Sequence, residues 1–201
     1  MKAALFSITY WGPISYFAKM LQYDQLVLEA KESFSKQTYR NRTYVDGPNG
    51  ALMLNLSVNH QSSRQIDLIT LNQAENWAQK HWQALQTSYG SSPFFDAISA
   101  DLEALYQKPY QRLWDLNLDT FKLVCKWLRI QPQLTYSEDW HELSTNCDDY
   151  RNYFHPKKNL EKNLPYYPQV FEHKGGFKEN LSILDLICNE GPAAFDYLTQ
   201  L

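Results

Sequence analysis

Ala3 to Thr9 is a largely apolar run without a breaker, and it leads through Gly12-Pro13 into a helical pattern and then a second short apolar run. This order constrains the fold more than any other feature. The first run reads as a buried strand. Pro13 suits the first turn of a helix whose apolar positions, Ile14, Phe17, Ala18 and Leu21, recur at i, i+3, i+4 and i+7. Gln25-Leu26-Val27-Leu28-Glu29 reads as a second strand. A strand, a helix and a strand in so short a span make a βαβ unit, which predicts a parallel pair.

Farther along, Thr43-Tyr44-Val45 and Leu52 to Val58 flank the dense turn signal Asp46-Gly47-Pro48-Asn49-Gly50, which predicts an antiparallel hairpin. Ile66 to Leu71 reads as another strand. From Asn72 the period becomes helical. Asn72 and Glu75 form a capping pair, and Ala74, Trp77, Ala78, His81 and Leu85 share one face as far as Gly90. Ser92-Pro93 starts a second helix that runs to about Tyr106, and a third spans about Asn117 to Leu128. Leu134-Thr135-Tyr136 reads as a returning strand, and residues 140–168 as a long polar loop or insertion. Leu181 to Leu186 begins a final helix, broken at Gly191-Pro192. The expected architecture is one α/β domain over residues 1–201: a mixed β-sheet started by the βαβ unit, a helical middle section and a C-terminal helix.

Several function classes are disfavoured. A net charge of −3 gives no general attraction for nucleic acid. Cys125, Cys147 and Cys188 are odd in number and widely spaced, which argues against a disulfide scaffold and a zinc site. The five His show no metal-ligand spacing. No P-loop, GxGxxG or GxSxG motif is present, and no cofactor is assigned. The opening apolar run is too short for a signal peptide, and no segment approaches the roughly 18 apolar residues of a spanning helix, so a cytoplasmic protein without a membrane span is expected.

The densest polar feature is Lys36-Gln37-Thr38-Tyr39-Arg40-Asn41-Arg42. Arg guanidiniums hold planar carboxylates and phosphates through paired hydrogen bonds. If the run is extended, Thr38, Arg40 and Arg42 share one face, and Gln37, Tyr39 and Asn41 the other. Two Arg at this spacing stand roughly 7 Å apart, the span of a diphosphate or two carboxylates. The competing reading is a solvated edge strand whose charges block pairing. Trp11 and Tyr16, around the first strand-to-helix turn, could stack on a base or sugar or simply fill the core. His60 and His81 are the candidate general bases, although a helix face beside Trp77 also suits a core imidazole at position 81. Asn180 or Ser182 caps the last helix, and Asp185 lies near its first turn with Asn189 four residues on. Asp148-Asp149 reads as a solvated acidic pair.

These pieces together resemble the WbqC-like family of bacterial proteins. The matching stretches are Pro13-Ile14-Ser15-Tyr16-Phe17, Gln37 to Arg42, Leu56-Ser57-Val58, Trp77 with His81-Trp82, Tyr89 with Ser92-Pro93-Phe94-Phe95, Leu116-Asn117, Gln169-Val170-Phe171, Gly176-Phe177, Asn180 to Leu186 and Asn189-Glu190-Gly191-Pro192. They cover essentially the whole chain. The resemblance implies an association with surface polysaccharide or O-antigen synthesis. It also implies a transferase that adds an acyl or aminoacyl group to a nucleotide-activated amino sugar. On that reading Arg40 and Arg42 bind phosphate or carboxylate, and Gln37, Tyr39 and Asn41 contact the ligand beside them. Trp11 and Tyr16 stack, Asn180 and Asp185 join the substrate site, and His81, or else His60, is the base. The rival is a non-catalytic protein of the same pathway that binds a nucleotide sugar or another anionic small molecule and needs no base. The oligomeric state is left open by the sequence.

Overall fold

A computed structural model of the chain describes residues 2–59, 63–139, 147–158 and 163–201. In chain order the elements are β1 (Ala3–Ser7), α1 (Ile14–Met20), β2 (Gln25–Glu29), β3 (Arg42–Val45), β4 (Leu52–Asn55), β5 (Val58–Asn59) and β6 (Thr70–Leu71). The helices α2 (Trp77–Tyr89), α3 (Phe95–Gln107) and α4 (Leu113–Trp127) follow. After them come β7 (Gln133–Tyr136), β8 (Cys147–Asp149), α5 (Glu172–Gly175), α6 (Ile183–Glu190) and α7 (Ala194–Thr199).

The βαβ unit forms as expected, with β1 and β2 parallel from Ala3 opposite Gln25 to Ser7 opposite Glu29. β7 adds in parallel to β2, and β8 in parallel to β1, giving the order β7-β2-β1-β8. All four carboxyl ends therefore lie along one edge, where α/β sheets place ligands. β8 falls inside the stretch expected to be loop. Its Cys-Asp-Asp sequence has no strand pattern, and its conformation comes from pairing with Ala3, Ala4 and Leu5.

Among the described residues two small ribbons pair antiparallel, besides isolated bridges such as Pro13 with Ser182. β3 and β4 form the expected hairpin, with Val45 opposite Leu52, and β5 pairs with β6. The fold thus mixes both strand directions, but in separate sheets. Ile66 to Leu71 is not one strand. It is a 3-10 turn over Ile66–Leu68 followed by the two residues of β6. Ile66 and Ile69 are buried and Leu68 is exposed, a three-residue period that a strand would not show.

α2 buries Trp77, His81, Leu85 and Ser88 at helical spacing. It starts later than expected because the Asn72 side-chain Oδ1 accepts the Ala74 backbone N–H (3.0 Å), a turn that precedes the helix. α4 begins at Leu113, about one turn earlier than its apolar pattern suggested. α6 is capped by Ser182, whose hydroxyl oxygen accepts the Leu184 N–H. It stops at Gly191, which has φ 53°, where a Cβ would collide with the Phe94 ring. One buried apolar cluster runs from Ala4 and Phe6 through Ile14 and Phe17 to Leu116, Val124, Ile183 and Leu186. Among the described residues no helix is long and apolar enough to cross a membrane.

Candidate functional site

The carboxyl edge of the parallel sheet carries a buried network of charge. Ser7 ends β1, Glu29 ends β2, Ser137 follows β7 and Arg151 follows β8. The Arg40 guanidinium reaches into this edge. Its Nε donates to Glu32 Oε1 (2.7 Å), and its Nη2 donates to Glu32 Oε2, Ser7 Oγ (2.6 Å) and the Arg151 carbonyl (3.1 Å). The Arg151 side chain in turn donates through Nη1 to Glu29 (3.2 Å) and through Nε and Nη2 to Asp149. Glu29 also accepts the Ser137 hydroxyl and the Lys31 backbone N–H. Arg40 and Glu32 are 4% and 3% exposed, so neither charge is available to bulk water. Burial would raise the Asp149 carboxyl, but the hydrogen bonds from Arg151 outweigh it and hold it below its ordinary value. The acidic pair at Asp148-Asp149 is therefore not simply solvated: Asp149 holds Arg151, and Asp148 accepts the Tyr23 hydroxyl.

This geometry changes the reading of the Lys36–Arg42 run. Residues 36–41 are turns, so side chains do not alternate faces until β3 begins at Arg42. Thr38 donates its hydroxyl to the Ser35 carbonyl, its own carbonyl accepts the Asn41 N–H, and Gln37 is left-handed with φ 61°. The short-range bonds of Ser and Thr compete with strand formation in this way. Arg40 points inward to Glu32, and Asn41 is tied to the Leu56 carbonyl (2.9 Å). Gln37 is exposed and Tyr39 half-buried, with the Tyr39 ring edge-on to Tyr44.

Arg42 has a different setting. It is half-buried, and its Nε is buried with no hydrogen-bond partner among the described residues. Near it stands His155, whose imidazole is held below its ordinary pKa by burial and by the positive charges of Lys157, Lys158, Arg40 and Arg42. His155 Nδ1 accepts the Lys157 backbone N–H (3.1 Å), so in the neutral ring Nε2 carries the proton and can donate a hydrogen bond to another partner. A small cavity at the sheet edge is lined by Ser7, Thr9, Tyr39, Arg40 and Tyr150. Its free volume is about 10 Å³, room for a single water. Sequence reasoning missed His155 because it lies in the stretch read as loop. The adjoining Lys157-Lys158 pair was the available signal.

The other sequence candidates are more enclosed. Trp11 and Tyr16 are almost wholly buried. The Trp11 ring stacks on Trp127 at 5.8 Å, and the Tyr16 hydroxyl donates to the Ser7 carbonyl. Trp11 is left-handed with φ 45°, and its carbonyl is clasped by the hydroxyls of Thr43 (2.8 Å) and Ser182 (3.0 Å). His81 belongs to a buried hydrogen-bond chain. Trp11 Nε1 donates to the Tyr106 hydroxyl (3.0 Å), which is hydrogen-bonded to the Tyr10 hydroxyl (2.7 Å), and Tyr10 in turn to His81 Nδ1 (2.8 Å). Burial pushes His81 down to about 4, so the ring is neutral. His60 lies outside the described residues. The Asn180 side-chain Oδ1 accepts the Ser15 backbone N–H (3.0 Å). Asp185 is fully buried, accepts from Tyr167 and Gln169, and is pushed up to about 6, first by burial and also by the nearby Asp46. Asp46 in turn pairs with Lys178 at 2.9 Å. The structure thus brings Arg40 and Tyr39 to the sheet edge, with Arg42 following at the start of β3, and holds His81, Asn180 and Asp185 in other hydrogen bonds.

A family model described as the WbqC-like protein family matches residues 9–153, from the turn after β1 through Tyr153. The chain belongs to the WbqC-like protein family. In this WbqC-like protein the match takes in the Lys36–Arg42 turns, β3, α2 with His81, and Asp149, while His155, Asn180 and Asp185 lie beyond it. The chain is also similar to "Uncharacterized protein Rv1507c" of Mycobacterium tuberculosis, at 26% identity over 98% of this chain and 97% of that protein. No solved structure matches it.

Proposed function

We propose that this WbqC-like protein binds a nucleotide-activated amino sugar over the carboxyl edge of its parallel sheet and transfers an acyl or aminoacyl group to the sugar's amine. Family membership suggests involvement in polysaccharide biosynthesis, which is where such sugars are used. The observation that carries the reading is the Arg42 guanidinium, half-buried with an Nε that has no partner among the described residues, together with the positive charges of Lys157, Lys158, Arg40 and Arg42 that act on His155. A diphosphate suits that charge, and the half-buried Arg42 guanidinium can donate to it. Arg40 serves as the floor: Glu32 matches its charge, and it fixes the turn that leads into Arg42. His155, kept neutral among cations, is the proton acceptor. The amine nitrogen attacks the carbonyl carbon of an activated donor, the donor's leaving group departs with the electron pair, and the amine proton passes to His155 Nδ1, which releases the Lys157 N–H to take it. His81 acts as a positioning group through Tyr10, and Tyr39 and Gln37 border the ligand. A binder without chemistry is the second reading. It is favoured by the enclosure of His81.

Calorimetry against a panel of nucleotide diphosphate sugars tests both readings. Arg42→Ala should weaken binding at least tenfold, and His155→Gln should keep binding but lose turnover of the amino-sugar nucleotide. Equal affinity in wild type and Arg42→Ala would refute the anion site. Turnover retained in His155→Gln would remove His155 as the base, and binding with no turnover in wild type would leave the binder.

A further inference from the structure

A separate cavity lies under the β3–β4 turn, against α2. Its free volume is about 350 Å³, within the range of small-molecule sites. It is lined by the turn residues Gly47 to Leu52 and by Gln83, Ala84, Thr87 and Ser88 of α2, none of them ionisable. This lining has the opposite character to the cationic cluster around His155. Ser88 is only 1% exposed, and its hydroxyl has no hydrogen-bond partner among the described residues. A buried hydroxyl left unpaired costs free energy that a ligand polar group can recover. At the rim, the side-chain amides of Asn49 and Gln83 make no hydrogen bond among the described residues, and both residues are exposed. Leu52, Ala84 and Pro48 supply an aliphatic wall.

We infer that this cavity is a second ligand site and that its ligand is an uncharged pyranose ring. Amides and hydroxyls both donate and accept, as sugar hydroxyls do, so Asn49, Gln83 and Ser88 match a ring of hydroxyls whatever direction each one points. The aliphatic wall meets the C–H face of the ring. A charged ligand would find no counter-ion in the lining, which separates this site from the diphosphate site. The inference does not rest on the transferase reading, since it needs only this cavity.

Amide-resolved NMR titration of the whole chain with two methyl glycosides, those of glucose and of N-acetylglucosamine, provides the test. At least one should give saturable shifts at Gly47, Gly50, Ala51 and Ala84. Ala84→Leu, at a half-buried helix position that accepts a good helix former, should weaken that binding at least fivefold by filling the cavity. Ser88→Ala should weaken it about threefold. A parallel titration with uridine diphosphate should instead shift residues around Arg42 and His155. The inference is overturned if neither glycoside gives saturable shifts at tens of millimolar, or if the shifts persist unchanged in folded Ala84→Leu. Loss of the uridine diphosphate response alone counts only against the anion site.

Discussion

Wild type and His81→Gln should diverge in stability as the pH falls from 6.5 towards 4. In the unfolded chain His81 titrates near 6.5, and in the folded protein burial pushes it down to about 4. Between those values the unfolded state binds a proton that the folded state refuses. The resulting stability is fully present above pH 6.5 and is lost as pH falls through 4. The span corresponds to about 3 kcal/mol. Asp185 acts in the opposite sense. Its carboxyl is pushed from 3.8 up to about 6, chiefly by burial. It therefore adds stability that is present below 3.8 and lost as pH rises through 6, again about 3 kcal/mol. In the wild type the two effects nearly cancel across this window. His81→Gln removes one of them, so its stability should fall by about 3 kcal/mol as pH rises from 4 to 6.5. Asp185→Asn removes the other, so its stability should rise by a similar amount. Urea denaturation followed by far-UV circular dichroism at fixed ionic strength reads both slopes. The depressed His155 is common to all three proteins and drops out of the differences. Parallel curves for wild type and His81→Gln would refute the assignment of His81 as a buried neutral imidazole.

Three further outcomes are expected. Glu32→Ala strands the buried Arg40 guanidinium and should cost about 3–5 kcal/mol by denaturant titration, whereas Glu32→Leu combined with Arg40→Met should cost far less than the sum of the single changes. Gly191→Ala forces a side chain onto the Phe94 ring at a positive φ and should lower stability by more than about 1 kcal/mol; an unchanged melting temperature would contradict the close approach. Near neutral pH, iodoacetamide should label Cys147 before Cys125 or Cys188, because burial pushes Cys125 to about 12 and Cys188 far above its ordinary value, while Cys147 is half-exposed. Cys147 should still react more slowly than a free thiol, since burial and its acidic neighbours raise it too, and peptide mass mapping over time would show the order.

The elements legible in the sequence were those with local signals. β1, α1 and β2 announced themselves through apolar spacing and Gly12-Pro13, and the β3–β4 hairpin through its turn residues. What stayed hidden depended on partners far along the chain. β8 is a strand because β1 offers it an edge, a fact that Cys147-Asp148-Asp149 does not encode locally. The density of donors in Lys36–Arg42 was visible, but its two Arg have different settings. Arg40 is tied to Glu32 and, across more than a hundred residues, to the Arg151 carbonyl, while Arg42 keeps an unpartnered Nε. The competing reading of His81 as a core imidazole was readable from its neighbours on the α2 face. The hydrogen-bond chain through Tyr10 and Tyr106 that holds it was not, because its members come from separate elements.

The placement of β8 beside β1 also bears on how the protein is made. β1 emerges first from the ribosome, and β2 can pair with it almost at once, yet its other edge waits for Cys147–Asp149. A parallel contact of that sequence separation forms late and slowly. Until then the nascent chain shows an open backbone edge flanked by apolar side chains, a template for association with other chains. A fragment ending before Cys147 should therefore self-associate during refolding, and one that continues past Arg151 should not.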